Sequence, residues 1–140
     1  MASFSISPFP DVVFGNGAIN SLPSKIKKFG SNILLCTGKK SLFDSQCGKK
    51  IIDSLESRNV TFTQVSIEGE PTTAFIDAVR LKYFSYCFDV VVAIGGGSTI
   101  DAGKALSAML AIDDSVLNYL EDVGTKSYNA SKIPFIAIPT

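Results

Sequence analysis

The run VVVAIGGGSTIDAGKA, Val90 to Ala105, sets three consecutive glycines after an apolar stretch and follows them with Ser98, Asp101 and Lys104 at helical spacing. Glycines at the end of a strand let backbone N–H groups approach an anion. A helix opening at Ser98 would add unpaired first-turn N–H groups and a partial positive charge. Phosphate, or the pyrophosphate of a dinucleotide, is the ligand that suits this chemistry. A purely structural reading of the same residues is a capping box, Ser98-x-x-Asp101, worth about 1 kcal/mol, beside an i,i+3 surface pair of Asp101 and Lys104. A cap alone does not require three glycines, and the two readings are compatible.

Two familiar phosphate motifs nearly match and fail at specific positions. The dinucleotide fingerprint G-x-G-x-x-G needs glycine where the sequence has Ile100. The P-loop G-x-x-x-x-G-K-[ST] needs glycine at Ser98 and a hydroxyl at Ala105. Gly15-Asn16-Gly17 has Asn20 at the third glycine position. A P-loop phosphotransferase is disfavoured on these grounds.

Other chemistries find little support. The chain contains no histidine, which removes the commonest general base, the commonest metal ligand and every nucleophile constellation that depends on one. Asp113-Asp114 and Glu121-Asp122 are adjacent pairs whose members point apart on a helix, so they read as surface or capping residues rather than a metal or acid–base pair. Cys36, Cys47 and Cys87 form no C-x-x-C pair and suit reduced thiols.

The elements that must position the glycine turn follow from periodicity. Short β-branched runs at Asp11–Phe14, Asn32–Cys36, Val60–Ile67, Asp89–Ile94 and Ile133–Ile138 alternate with amphipathic stretches at Ser41–Arg58 and Thr73–Cys87, which read as crossover helices. The turn therefore follows the fourth expected strand. Runs apolar on both faces, such as VVVAI and FIAI, belong in a parallel sheet covered on both sides. The expected fold is α/β: a Rossmann-like, doubly wound, mostly parallel sheet.

A chain of 140 residues with 46% hydrophobic content is about one domain with a core of its own. Thirteen basic residues balance thirteen acidic ones, and no run of four or more like charges appears, which argues against nucleic acid or an anionic membrane as partner. No apolar stretch is long enough to span a bilayer and the opening MASFSISPFP lacks the pattern of a signal peptide, so the expected location is cytoplasmic. The chain stops at Ile138-Pro139-Thr140, directly after a core strand, and the expectation is a piece of a longer protein.

IGGGSTIDAGKA resembles the GGGSxxDxxK signature of the iron-dependent (group III) alcohol dehydrogenases. Its neighbours match in order: VVFGNGA, a strand ending Thr37-Gly38, the Glu70-Pro71-Thr72 loop and IPFIAIPT. The resemblance spans nearly the whole chain. Ser98 and Lys104 favour the alcohol dehydrogenase branch over glycerol dehydrogenases and dehydroquinate synthases within the dehydroquinate synthase-like superfamily.

The resemblance implies a two-domain enzyme moving hydride between a nicotinamide cofactor and a small alcohol or aldehyde. Residues 1–140 would be its NAD(P)-binding domain. A helical C-terminal domain outside this chain would hold iron or zinc, and this chain alone would be inactive. Gly96, Gly97 and Ser98, with Thr99 beside them, would meet the pyrophosphate. Asp101 would accept hydrogen bonds at the nicotinamide end, and Thr140 would open a loop near the nicotinamide ribose. Thr37 and Thr72 would approach the adenosine side, although Thr37, Thr72 and Thr140 read equally well as ordinary strand-end or N-cap hydroxyls. A homodimer is a candidate assembly. The competing class is a stand-alone nucleotide- or phosphate-binding module without catalysis.

Cofactor choice turns on Thr37-Gly38-Lys39-Lys40. An acidic side chain at a strand end accepts from the ribose 2′-hydroxyl and repels a 2′-phosphate, selecting NAD over NADP. Relatives that prefer NAD often carry Asp where this chain has Gly38. The glycine and the two lysines after it give the expectation that NADP binds at least as tightly as NAD. The alternative is that Gly38 only turns the chain while both lysines face solvent.

Overall fold

The computed structural model describes residues 10–39 and 41–140. Lys40 and the opening MASFSISPF lie outside them. Four strands, β1 (Asn32–Gly38), β2 (Thr61–Ile67), β3 (Val90–Gly95) and β4 (Phe135–Pro139), form one parallel sheet in the order β2-β1-β3-β4. The helices are α1 (Leu22–Ile26), α2 (Ser41–Asp44), α3 (Gln46–Glu56), α4 (Thr73–Tyr83) and α5 (Gly97–Met109). The expected α/β class and doubly wound sheet are both present.

Alternation along the central strands builds the two cores. Ile33 and Leu35 of β1, with Val90, Val92 and Ile94 of β3, pack against Leu22, Ile26, Leu42 and Leu55 on one face. Leu34 and Cys36, with Val91 and Ala93, pack against Ile76 and Val79 of α4 and Ala102 and Leu106 of α5 on the other. Residues next to each other in sequence thus serve opposite layers, as a strand buried on both sides requires. Every residue of β3 is buried.

The amino edge of the sheet is closed by Asp89. Its Oδ2 accepts from the N–H groups of Ser31 and Asn32 at 2.7 and 2.8 Å, while its own N–H donates to the Asn32 carbonyl at 2.8 Å. The Asp89 carboxylate fills the space that a side chain at position 30 would need, which accounts for Gly30.

Three expectations need correction. Asp11–Phe14 is not a strand: no strand among the described residues pairs with it, and Val12 and Phe14 are 74% and 99% exposed. Asp11 instead pairs with Lys25. The glycine turn therefore follows the third strand of the sheet, not the fourth. The single helix expected over Ser41–Arg58 is broken at Ser45, which is extended and caps α3 by accepting from Gly48 N–H at 2.9 Å. A serine that satisfies an orphan N–H offers the backbone an alternative to continuing the helix. The helix expected over Thr73–Cys87 ends at Tyr83, and the residues beyond it turn Tyr86 and Phe88 back onto Tyr83 in an aromatic cluster.

Asp113 and Asp114 make structural contacts. Asp113 holds the buried Arg80 guanidinium at 2.7 Å. Asp114 accepts from Lys126, Asn118, Tyr119 and the Ser115 N–H, and the Lys126 ammonium above all holds its carboxyl well below the usual range.

Candidate functional site

From β1 the chain crosses to β2 through α2 and α3 on one face of the sheet, whereas from β3 it crosses to β4 through α5 on the other. Neighbouring strands whose connections leave in opposite directions open a crevice at their carboxyl ends, the switch point where α/β sheets take their ligands. Here that crevice lies between Thr37-Gly38 and Gly95-Gly96.

Each glycine of the turn has its own geometry. Gly95 ends β3 at φ +158°, and a Cβ there would stand 2.7 Å from Thr99 Oγ1, so the fold itself demands glycine. Gly96 is the N-cap of α5 and Gly97 its first residue. No side chain caps the helix, and a Cβ at either glycine would meet no protein atom within 4 Å. The protein's own packing does not explain Gly96 or Gly97. Open space over the uncapped start of a helix of 13 residues leaves its first-turn N–H groups accessible to an anion.

Ser98 does not form the capping box that its spacing to Asp101 allows. Its hydroxyl donates to Glu70 Oε1 at 3.1 Å and brings the loop after β2 to the mouth of the crevice. Asp101 is exposed and pairs with Lys104 at 3.4 Å, as the surface reading expects. Thr99 is buried beneath Gly95 and shapes the turn from below.

The threonines divide by environment. Thr37 is fully buried and its hydroxyl oxygen accepts from Gln64 Nε2 at 2.9 Å within the sheet. Thr72 caps α4 by accepting from Phe75 N–H at 3.2 Å. Thr140 is exposed, and its N–H donates to the Gly95 carbonyl at 3.3 Å, tying the end of β4 to the glycine turn. Register aligns Thr37 with Ile94 and Ile94 with Ile138. The structure thus gathers Gly38, Gly96, Gly97, Ser98 and Thr140 along one edge, with Thr72 beyond Glu70. Beside Thr140 a groove of about 340 Å³ runs between Leu42, Ile51, Ile94 and Ile138.

Two features of the site escape sequence reading. Lys39 Nζ donates to Glu68 Oε2 at 2.7 Å across the ends of β1 and β2, a pairing that no local spacing reveals. Gly103, inside α5, approaches Ala93 and Phe135 so closely that a Cβ would lie 2.8 Å from each. Its signal was a glycine in a helix interior, where a packing reason is the usual explanation.

With this geometry in place, comparison with known proteins is decisive. Residues 10–140 match the profile of the iron-containing alcohol dehydrogenases. The chain belongs to that family. It is 32% identical over 127 residues to the NADH-dependent butanol dehydrogenase A of Clostridium acetobutylicum, covering 87% of this chain and 32% of that protein. An archaeal halo-thermophilic Red Sea brine pool alcohol dehydrogenase superposes with a TM-score of 0.86 at 32% identity, over 98% of this chain and 36% of that one. The sulfoacetaldehyde reductase of Bifidobacterium kashiwanohense, solved in complex with NAD+, gives a TM-score of 0.74 at 25% identity, over 89% of this chain and 32% of that one. This family member therefore spans about a third of the length of the relatives it matches.

The residues present do not fit the iron of the family's name. Among the described residues no three His, Cys, Asp or Glu side chains come together as ligands, and the sequence has no histidine. No helix among the described residues is long and apolar enough to cross a membrane.

Proposed function

We propose that this chain is the nicotinamide-dinucleotide-binding part of a metal-dependent alcohol dehydrogenase, a cytoplasmic enzyme acting on a small alcohol or aldehyde. One observation carries this reading: the open space over Gly96 and Gly97 at the uncapped start of α5, set at the switch point of the sheet.

Gly96, Gly97 and Ser98 would hold the pyrophosphate through backbone N–H groups, the Ser98 hydroxyl being engaged by Glu70. Gly38 and the exposed cap Thr72 would border the adenosine side. Asp101 and Thr140 are assigned to the nicotinamide side. The buried Thr99 and Thr37 would act by shaping the edge, since their surroundings hold them within the fold. The apolar groove beside Thr140 would shield that end of the site from water. The bound cofactor supplies the hydride acceptor or donor; the protein supplies binding and orientation. The metal that polarises the alcohol oxygen would come from a helical domain outside this chain, with a homodimer as a candidate assembly.

The absence of an acidic side chain at Gly38 supports binding of NADP at least as tight as NAD. Titration calorimetry of both dinucleotides against the 140-residue chain tests the reading. Binding of either in the micromolar range is expected, with no turnover of butanol by the chain alone when iron or zinc is added. Failure to bind either dinucleotide would overturn it.

A further inference from the structure

At the end of β1, Gly38 offers no side chain to the ribose of a bound dinucleotide. The next strand does. Ile67 of β2 lies in register with Gly38, so Glu68 leaves the sheet directly beside Lys39, and the two are joined at 2.7 Å. Both side chains are more than half exposed, at 61% for Lys39 and 58% for Glu68. They stand at the rim of the crevice, on the side where β1 and β2 frame the adenosine end.

We propose that Glu68 is a specificity-determining residue for the cofactor: it replaces, from the neighbouring strand, the acidic side chain that position 38 lacks. The inference rests on the dinucleotide-binding reading and refines it. A lysine engaged by a carboxylate presents little net charge to an incoming 2′-phosphate. That phosphate carries close to two negative charges and must either draw Lys39 away or share it with Glu68, whose own charge repels it. A neutral 2′-hydroxyl faces no such conflict and has an acceptor in the same carboxylate. Glu68 therefore restrains the advantage that Gly38 and Lys39 give to NADP and keeps NAD usable by the same site.

The other carboxylate of this loop acts elsewhere. Glu70 accepts from Ser98 at the start of α5, where the pyrophosphate common to both cofactors would lie, so its effect falls on the two cofactors alike.

The test is calorimetric titration of NAD and NADP against the wild-type chain, Glu68→Gln, Lys39→Gln and the double variant. Glu68→Gln is expected to tighten NADP relative to NAD by about fivefold, the scale of an exposed charge contact. The gain should shrink as salt rises and should be smaller in the Lys39→Gln background. Adenosine 2′,5′-bisphosphate and AMP should reproduce the ratio, placing the effect at the ribose. An NADP-to-NAD ratio unchanged by Glu68→Gln, while wild type binds both, would overturn the role of Glu68 alone. Absence of binding by wild type would instead overturn the dinucleotide reading itself.

Discussion

Gly103 of α5 and Ala93 of β3 are in such close apposition that a Cβ on the glycine would stand 2.8 Å from the alanine Cβ, with Phe135 Cε2 at the same distance. The glycine lets the helix lie low on the sheet. That height sets where the start of α5, two turns earlier, meets the end of β3. Gly103→Ala is expected to destabilise the fold by about 1–2 kcal/mol, overpacking outweighing the better helix propensity of alanine. Urea denaturation of the two proteins measures it, and an equal or higher midpoint for the variant would contradict the packing argument.

Gly97 makes the opposite case. A Cβ there meets no protein atom within 4 Å, so Gly97→Val should leave a folded domain with a nearly unchanged thermal midpoint. It should weaken dinucleotide binding at least about tenfold, because the valine would occupy the space over the first-turn N–H groups. Unchanged affinity by calorimetry would return the glycines to a structural role.

Gly38→Asp tests cofactor choice from the β1 side. The new carboxylate would accept from a 2′-hydroxyl and repel a 2′-phosphate, shifting preference toward NAD, and lower salt should sharpen the shift. Titrating both cofactors against wild type and variant decides the matter, and an NADP-to-NAD ratio unchanged by Gly38→Asp would refute the reading of Gly38.

The three thiols should separate by reactivity. Cys36 is fully buried, and burial pushes its thiol up to about 12, whereas Cys47 and Cys87 are exposed. An aromatic disulfide reagent should label Cys47 and Cys87 in the folded chain and reach Cys36 only on denaturation. Because the folded pKa of Cys36 lies above its unfolded value of 9.0, its contribution is complete below pH 9 and is lost as pH rises toward 12. The slope approaches about 1.4 kcal/mol per pH unit. Cys36→Ala should flatten that alkaline decline in denaturation measured across pH 9 to 11; an unchanged slope would assign it to other groups.

The fold was legible because its signal is local. Runs such as VVVAI are apolar on two faces, and a parallel sheet covered on both sides accommodates them. The glycine turn was legible for the same reason, since three adjacent glycines constrain one backbone segment. What sequence could not show were relations across strands. The Glu68–Lys39 pair depends on the register of β2 against β1, and the Ser98–Glu70 contact joins residues 28 positions apart. Asp11–Phe14 misled because β propensity describes a fit to a pleated neighbour, and no such neighbour occurs among the described residues. Ser45 misled because hydrophobic spacing reads through a break that a single hydroxyl creates.

Asp89 fastens the two central strands at their amino ends through both Ser31 and Asn32, while Asn32 Nδ2 adds a bond to the Cys87 carbonyl at 2.7 Å. At the carboxyl end of β3 no side chain caps the start of α5. In terms of amide hydrogen exchange, protection should be deepest toward the Asp89 end and shallowest at the glycine turn, where local opening is least costly. A ligand settling on Gly96 and Gly97 would then slow exchange most at the end of the sheet that begins with least protection, leaving the already protected end almost unchanged.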